Sequence, residues 1–556
     1  MRGLISRIIL IVIIFFCTIP AIGQECYWSS HAGGTLADGA GVMGSDKNGN
    51  VYISGSTHSQ ICYFNTDSLF LGYFNQSFIV KYDAEGNEVW IKPFSGPSES
   101  FEDGYISVGG IVDTIHNTIL GAGHFYNYLT LGDTNLYGSG QTVFVMKMDL
   151  DGHVIWARTG GGGGSDFALG ITYDEFGNIY ISGSNEHEAN FNGTVIPSGG
   201  FLAKYGTDGD LVWVKNKFRN FNLYPSNPDF PFTEAPPFNI LYSNRKLLVN
   251  GNLRNDTIII DTITIIKTLG YVSSYLASFD TSGNIEWIRR AGNPKGTCGG
   301  QFTVDSSGDI FITGIFTKTG IFGNDTLTNT VAFNDCFLAK YTSDGGLIWV
   351  KQLNSTIAAN GRGVSSNNNG DIYLAGFFDG KACFGSDTLI SGSWSDMFLA
   401  RYSSEGNCQG VRQYSFGTIN DFTIDQAGNI FLAGNFQNSL TIGPNTFTSY
   451  GDDDIFVAKC GEITGIGEQK PLPPNQLVIY ANPNEGKCSI VLPEEFRYEQ
   501  HLTLSIYNNQ GKIIQQSPVV IIGDKVSLNI SAEAKGIYTA IITNGKKNYS
   551  GKIVLD

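Results

Sequence analysis

One short pattern constrains this chain more than any other feature: a turn, then a brief apolar strand that ends on glycine. It reads Gly49-Asn50-Val51-Tyr52-Ile53-Ser54-Gly55 and returns as Gly177-Asn178-Ile179-Tyr180-Ile181-Ser182-Gly183. Three more copies begin at Gly308, Gly370 and Gly428, and two degraded ones centre on Leu120 and Leu248. Anchored on positions 52, 120, 180, 248, 311, 373 and 431, the repeat has a period of 58 to 68 residues. Periods of this length mark arrays of one supersecondary unit. A second pattern interleaves with it: Phe78-Ile79-Val80-Lys81-Tyr82 recurs from Phe144, Phe201, Tyr275, Phe337, Phe398 and Phe456. A Trp follows five of these, at 90, 156, 213, 287 and 349, while Gly410 holds the sixth slot and the seventh is empty. The missing segment stands at the other end of the chain, as Cys26-Tyr27-Trp28-Ser29.

With a less regular strand before each Gly-Asn turn, a unit holds four strands. The expected fold is all-β: a seven-bladed β-propeller closed by an N-terminal strand, followed by a small Ig-like β-sandwich. A ring covers the apolar faces and edges that an open row of units would expose. A linear solenoid would need polar capping repeats, and none is evident. Closure makes a covalent prediction. Cys26 lies two residues before its Trp and Cys460 ends the seventh Phe-x-x-Lys-Tyr strand, the slots that Glu88 and Tyr82 occupy elsewhere. Cys26 and Cys460 should therefore face each other and form a disulfide. Spacing suggests no pairing for Cys62, Cys298, Cys336, Cys383, Cys408 or Cys488.

The N-terminus reads as an address. Arg2 and Arg7 precede an apolar run from Ile8 to Phe16, and Ala21-Ile22-Gly23 supplies small residues for cleavage before Gln24. That is the pattern of a secretory signal peptide over 1–23, with no transmembrane segment after its removal. The formal charge of −16 disfavours a nucleic acid partner and leaves cations or neutral glycans open.

Turns of the form Asp-x-x-Gly-Asn begin at Asp46, Asp83, Asp174, Asp280 and Asp425. They read as tight hairpins. Asp46-x-Asn48-x-Asn50 also resembles the opening of a calcium loop, so structural calcium is the one cofactor expectation, otherwise none. The tight turns share one face of the ring, and the longer second-to-third connections occupy the other, where binding normally resides. After Trp213 comes an aromatic and proline-rich stretch, with Phe218, Phe221, Tyr224, Phe230 and Phe232 as candidate ligand-binding residues for a sugar ring or a protein partner. It could equally pack down as a lid. Asp335, Asp396 and Asp454 each precede a third strand; a cation near the axis or a turn-capping role are the two readings, with capping favoured. Neither a catalytic constellation nor a metal motif is evident. The seven His are scattered, and no Gly-x-Ser-x-Gly occurs.

Thr342-Ser343-Asp344-Gly345-Gly346-Leu347-Ile348-Trp349 resembles the Asp-box of sialidase-type propellers, a structural turn in that family. Beyond a Pro-rich linker over 462–475, residues 476–556 change character. Tyr480, Asn482-Pro483 and Gly486, then Ile506-Tyr507-Asn508 with Gly511, then Gly536 with Tyr538, then Lys552 appear in order. This segment resembles the C-terminal sorting domain (Por, type A) of the Bacteroidota type IX secretion system. Residues 24–461 resemble, more loosely, bacterial β-propeller repeat proteins of the SBBP type. The resemblance implies the type IX machinery as a partner, passage through the periplasm, and a secreted or outer-membrane surface location with release or anchoring after the tail is removed. The expected function is an exported binding or interaction protein. The alternative is a secreted polysaccharide-degrading enzyme, hydrolase or lyase, built on carboxylates from separate blades.

Overall fold

Hairpin turns set the repeat. At 46–50 the Asp46 amide donates to the Asn50 carbonyl at 2.9 Å, and the Gly49 amide donates to the Asp46 carbonyl at 3.0 Å. Gly49 takes φ +79°, a conformation in which a side chain is strained. The Asp46 carboxylate secures the turn by accepting from the Asn48 and Asn50 amides at 2.9 and 3.1 Å. The same amide bonds recur at Asp83, Asp174, Asp280 and Asp425. At 342–346 the Thr342 hydroxyl does this work instead, accepting from the Gly346 amide at 2.9 Å.

The computed structural model describes residues 26–555 apart from 66, 71–75, 97–106, 220–238, 254–256, 267–272, 292–297, 331–332, 393–394, 464–476, 481–485, 493–495, 497–500, 509–511 and 520–524. The expected signal peptide and most of the linker therefore lie outside the described residues. Up to Cys460 the strands pair in antiparallel groups of four. The first group is Asp38–Ser45, Val51–Thr57, Gln76–Tyr82 and Glu88–Ser95. Five more groups repeat that order along the chain. The last group is Thr418–Ile424, Ile430–Phe436 and Asp454–Cys460, and its outer strand is Cys26–Ala32 from the start of the chain. The first strands of successive groups lie against one another, and Thr418–Ile424 of the last lies against Asp38–Ser45 of the first. Cys26 stands opposite Cys460 and is joined to it by a disulfide, as the repeat register predicts.

Neighbouring groups are locked through their tryptophans. Trp90, Trp156 and Trp349 donate their indole N–H to Leu150, Thr207 and Ser404, carbonyls in the next group's last turn. Trp28 does the same to Ala84 of the first group, at 3.0 Å. Each such turn must present glycine to the ring: a Cβ on Gly86 would sit 2.5 Å from Trp28, and one on Gly209 2.6 Å from Trp156. Two residues after the Trp, Arg158 and Arg289 donate to Asp208 and Asp344 in the same turns, at 3.0 and 3.2 Å. The sixth slot, Gly410, has no turn to cap, because the last group takes its outer strand from elsewhere. There Arg412 and Arg401 hold the departing chain instead, donating to the carbonyls of Gly461, Glu462 and Ile463.

The residue before each Trp (Val89, Ile155, Val212, Ile348) is the extra residue of a bulge in the outer strand, and it is exposed. Bulges twist an edge away from pairing with another chain.

The second-to-third connections correct an expectation. Rather than open loops, they are hairpins: Ile61–Tyr63 with Ser68–Phe70, Ala189–Phe191 with Thr194–Ile196, Thr319–Phe322 with Asp325–Thr328, and Lys381–Phe384 with Asp387–Ile390. They pair back onto the preceding group, through Phe218↔Ile260, Asn354↔Cys383, Phe94↔Leu131 and the bridges Gly33↔Tyr63 and Gly161↔Asn190. Phe64, Phe191, Phe322 and Phe384 anchor them against Phe78, Phe201, Phe337 and Phe398, with ring centroids 4.7 to 5.3 Å apart. Each such buried ring stabilises by roughly 1.5–3 kcal/mol. These connections staple the groups together.

Beyond the linker two sheets enclose a separate core. One is Val478–Tyr480, Lys487–Val491 and Lys525–Asn529; the other is Ile513–Pro518, Thr503–Tyr507, Gly536–Thr543 and Asn548–Leu555. Ile490 and Leu528 of the first meet Ile506, Ala540, Ile542 and Ile553 of the second.

Candidate binding site

The first strand of a group has its second strand on one edge and the interior of the circle on the other. Five of these strands carry an irregularity in their pairing, between Val42 and Gly44, Ala168 and Gly170, Gly299 and Phe302, Gly361 and Gly363, and Ile419 and Asp421. Small residues elsewhere on these strands leave a cavity of about 390 Å³. Gly41, Gly109, Ser54, Gln301, Asn420 and Asp421 line it, so opposite sides of the circle contribute to one space. A second cavity of about 650 Å³, which shares Val42 and Gly110 with the first, continues toward the tight-turn face, past Asp46, Asn48 and Gln426.

Polar groups dominate the first cavity. Asn420 donates to the Ala40 carbonyl at 3.3 Å and to the side chain of Asn435, whose own amide donates to the Asp38 carbonyl at 2.6 Å. Asp421 accepts from the Phe422 amide at 2.8 Å, and burial pushes its carboxyl up to about 7. Arg362 occupies the corresponding irregularity of the neighbouring group, its guanidinium 5.4 Å from the centre of the Phe377 ring. Nearby protein atoms lower the Arg362 guanidinium from its usual range, yet the residue is exposed to solvent. No sequence motif marks Gln301, Arg362, Asn420 or Asp421. Their signal is positional: all lie in the weakly patterned strand before the Gly-Asn turn.

The residues singled out from the sequence fall elsewhere. Phe218 is not an exposed ligand contact. It is fully buried, with Tyr275 and Phe279 at centroid distances of 6.1 and 5.9 Å. Phe221, Tyr224, Phe230 and Phe232 lie outside the described residues. Asp335, Asp396 and Asp454 do not converge. Asp335 accepts from the Ser355 amide and hydroxyl, Asp396 from Gln413 and the Gly392 amide, and Asp454 from the Tyr450 amide. All three tie the long-loop end of their own group. Asp46 also accepts from the Asn50 side chain and the Tyr52 hydroxyl, at 2.8 and 3.0 Å, so both its oxygens serve the turn. Among the described residues no group of three or more His, Cys, Asp and Glu is arranged to hold a metal ion.

A second polar cluster lies where the first and last groups meet. His31 Nε2 is 3.2 Å from Asp454 Oδ2, and its ring stacks on exposed Tyr450 at 4.7 Å. Tyr450 in turn leans on exposed Tyr63 at 5.2 Å. Asp38 accepts from the Gly34 amide at 2.6 Å, and burial, reinforced by the Asp454 charge, pushes its carboxyl up to about 7. This cluster closes the seam and offers two tyrosine faces at the surface.

In the tail, Gly486 takes φ +101°, and a Cβ there would lie 2.2 Å from the Ser531 backbone. Tyr538 is buried and donates its hydroxyl to the Ala534 carbonyl. Tyr480 pairs with Ser489 and Lys552 with Thr539. Asn482, Pro483 and Gly511 lie outside the described residues. The family comparison matches residues 478–556 to a known module. The tail is a secretion system C-terminal sorting domain. The sorting domain indicates export, to the cell surface or into the medium, through the type IX secretion system. No helix among the described residues is long and apolar enough to cross a membrane.

For the strands before the tail, similarity is to β-propellers. An uncharacterized WD repeat-containing protein of Acanthamoeba polyphaga mimivirus is 22% identical over 432 residues, 63% of this chain and 30% of the relative. The chain thus spans about a third of that relative's length. Among solved structures, the Dos1 propeller is 10% identical with a TM-score of 0.36, covering 80% of this chain and 97% of its own. Polysaccharide lyase Uly1 is 11% identical with a TM-score of 0.38, covering 75% and 88%. A member of the duf4221 family from Bacteroides vulgatus is 8% identical with a TM-score of 0.30, covering 65% and 94%.

Proposed function

We propose that this chain is an exported binding protein: a seven-bladed propeller that offers its axial cavity to a saccharide, delivered by the immunoglobulin-like tail. Export then begins with a signal peptide over 1–23, and the machinery is that of a Bacteroidota cell. The blade count rests on the four-strand groups and on the contact between the last first-strand and the first. The observation that carries the binding role is the polar lining of the 390 Å³ cavity. Its volume falls within the range of ligand pockets, roughly 300–1,000 Å³. Amides and hydroxyls from Gln301, Asn420 and Ser54 suit a ligand that presents hydroxyl groups in several directions. The negative overall charge agrees with a ligand that is not a polyanionic nucleic acid.

The test is a glycan array read beside a reducing-sugar release assay on the full chain. Retention of a defined glycan set without release supports the reading, and Asn420→Ala together with Gln301→Ala should weaken retention about tenfold or more. Release of reducing ends would instead establish an enzyme, and no retained glycan would end the proposal.

A further inference from the structure

Among the described residues, the arginines are spoken for with one exception. Arg158, Arg219 and Arg289 donate to backbone carbonyls of neighbouring turns. Arg245 faces Glu175, Arg401 faces Asp371 and Glu462, and Arg412 holds the chain at 461–462. Arg290 also has a partner. Among the described residues, only the Arg362 guanidinium has neither a hydrogen bond nor an ion pair; it lies over the Phe377 ring, 5.4 Å from its centre. Its side chain is exposed, so the guanidinium is open to a ligand rather than committed to a protein partner. It sits moreover at the irregularity of its first strand, the place from which Asn420 and Gln301 of flanking groups reach the cavity. Stacking on a ring fixes a guanidinium plane while its N–H edge stays free, and that edge matches a carboxylate with two parallel bonds.

We propose that Arg362 is an anion anchor, and that the ligand of the axial cavity is an acidic saccharide whose carboxylate it binds. Asn420 and Gln301 then take the sugar hydroxyls. This rests on the saccharide reading above and narrows it to one class, the uronic acids. In a chain of net charge −16 a single local cation must supply the attraction that the overall field denies.

The test is calorimetric titration of the full chain with trigalacturonate and with its fully methyl-esterified form, in which each carboxylate is replaced by a neutral methyl ester. The expected result is that the acid binds about tenfold tighter than the ester. Arg362→Gln should erase that preference and Arg362→Lys should keep part of it, with unfolding midpoints unchanged. Equal binding of acid and ester by the natural chain would overturn the proposal, as would a preference that survives in a folded Arg362→Gln. Should Arg362→Gln fail to fold, the acid-to-ester ratio of the natural chain decides by itself. A chain that retains neutral glycans on the array yet ignores trigalacturonate would sink the anchor while sparing the saccharide reading.

Discussion

The indole of Trp28 donates to the carbonyl of Ala84, 56 residues away in sequence and across the seam between the last strand group and the first. It repeats what Trp90, Trp156 and Trp349 do within the run of groups. The seam is therefore built like those three boundaries. Gly86 lies under that indole at φ +90°. Gly86→Ala combines a strained backbone with a Cβ 2.5 Å from the ring, whereas Gly370→Ala, at φ +81°, has open space. In urea unfolding Gly370→Ala should cost about 1 kcal/mol and Gly86→Ala about 2 kcal/mol more. Equal losses would mean that Trp28 does not rest on this turn.

The disulfide Cys26–Cys460 spans 434 residues beside that seam. Reduction, or Cys26→Ser with Cys460→Ser, should lower stability by roughly 2–4 kcal/mol. Thermal unfolding with and without reductant measures it, and the natural chain under reductant should match the double variant. Cys62, Cys336, Cys383, Cys408 and Cys488 are free and should leave the midpoint unmoved.

Much of this register is legible before folding. Tyr82 opposite Glu88 and Tyr341 opposite Leu347 are hairpin neighbours at fixed offsets, so placing Cys460 opposite Cys26 needs only the repeat. Phe218 shows where such reading fails. Phe94, Leu353 and Tyr414 stand four residues after their Trp or its substitute and point into the core. In the third group an extra residue, Lys217, enters the strand between Asn216 and Phe218, where it pairs with Asp261 at 3.0 Å. Phe218 thus moves to offset five and looks like part of the following loop. The short hairpins are also hard to foresee, since three or four residues carry little alternation. Arg362 leaves no trace in the pattern, because an irregularity is a departure from it.

Phe218→Ala therefore tests burial rather than recognition. It should cost about 3–5 kcal/mol, measured by chemical unfolding. Glycan retention below the unfolding transition should stay within about twofold of the natural chain. A large loss of retention at unchanged stability would return Phe218 to the ligand site.

The Arg412 and Arg401 grip on 461–463 replaces the turn that the last group lacks. Ile463 is buried at its end. Arg412→Ala removes two donors to the Gly461 and Glu462 carbonyls, so this stretch should open more often while the strand groups persist. Limited proteolysis should then cut near 461–463 several-fold faster, with the global stability lowered by about 1–2 kcal/mol. Unchanged cleavage would show that the core contact of Ile463 holds the exit without the arginines.

Asp38 gives the pH dependence a definite sign. Its carboxyl is buried at the seam near Asp454, His31 and Cys62, and titrates at about 7 when folded, against about 3.9 for a solvated Asp. Between those values the folded chain holds a proton that the unfolded chain has released. Stability contributed by this group therefore falls as pH rises from about 4 to about 7, and levels off above. At 1.36 kcal/mol per unit the full swing is on the order of 4 kcal/mol. Asp38→Asn keeps an oxygen for the Gly34 amide and carries no charge. The variant should match the natural chain near pH 4 and exceed it progressively toward pH 8, where the difference is largest. Unfolding curves at pH 4, 6 and 8 read this directly. A difference that is constant with pH would show that Asp38 enters the folded seam already ionised.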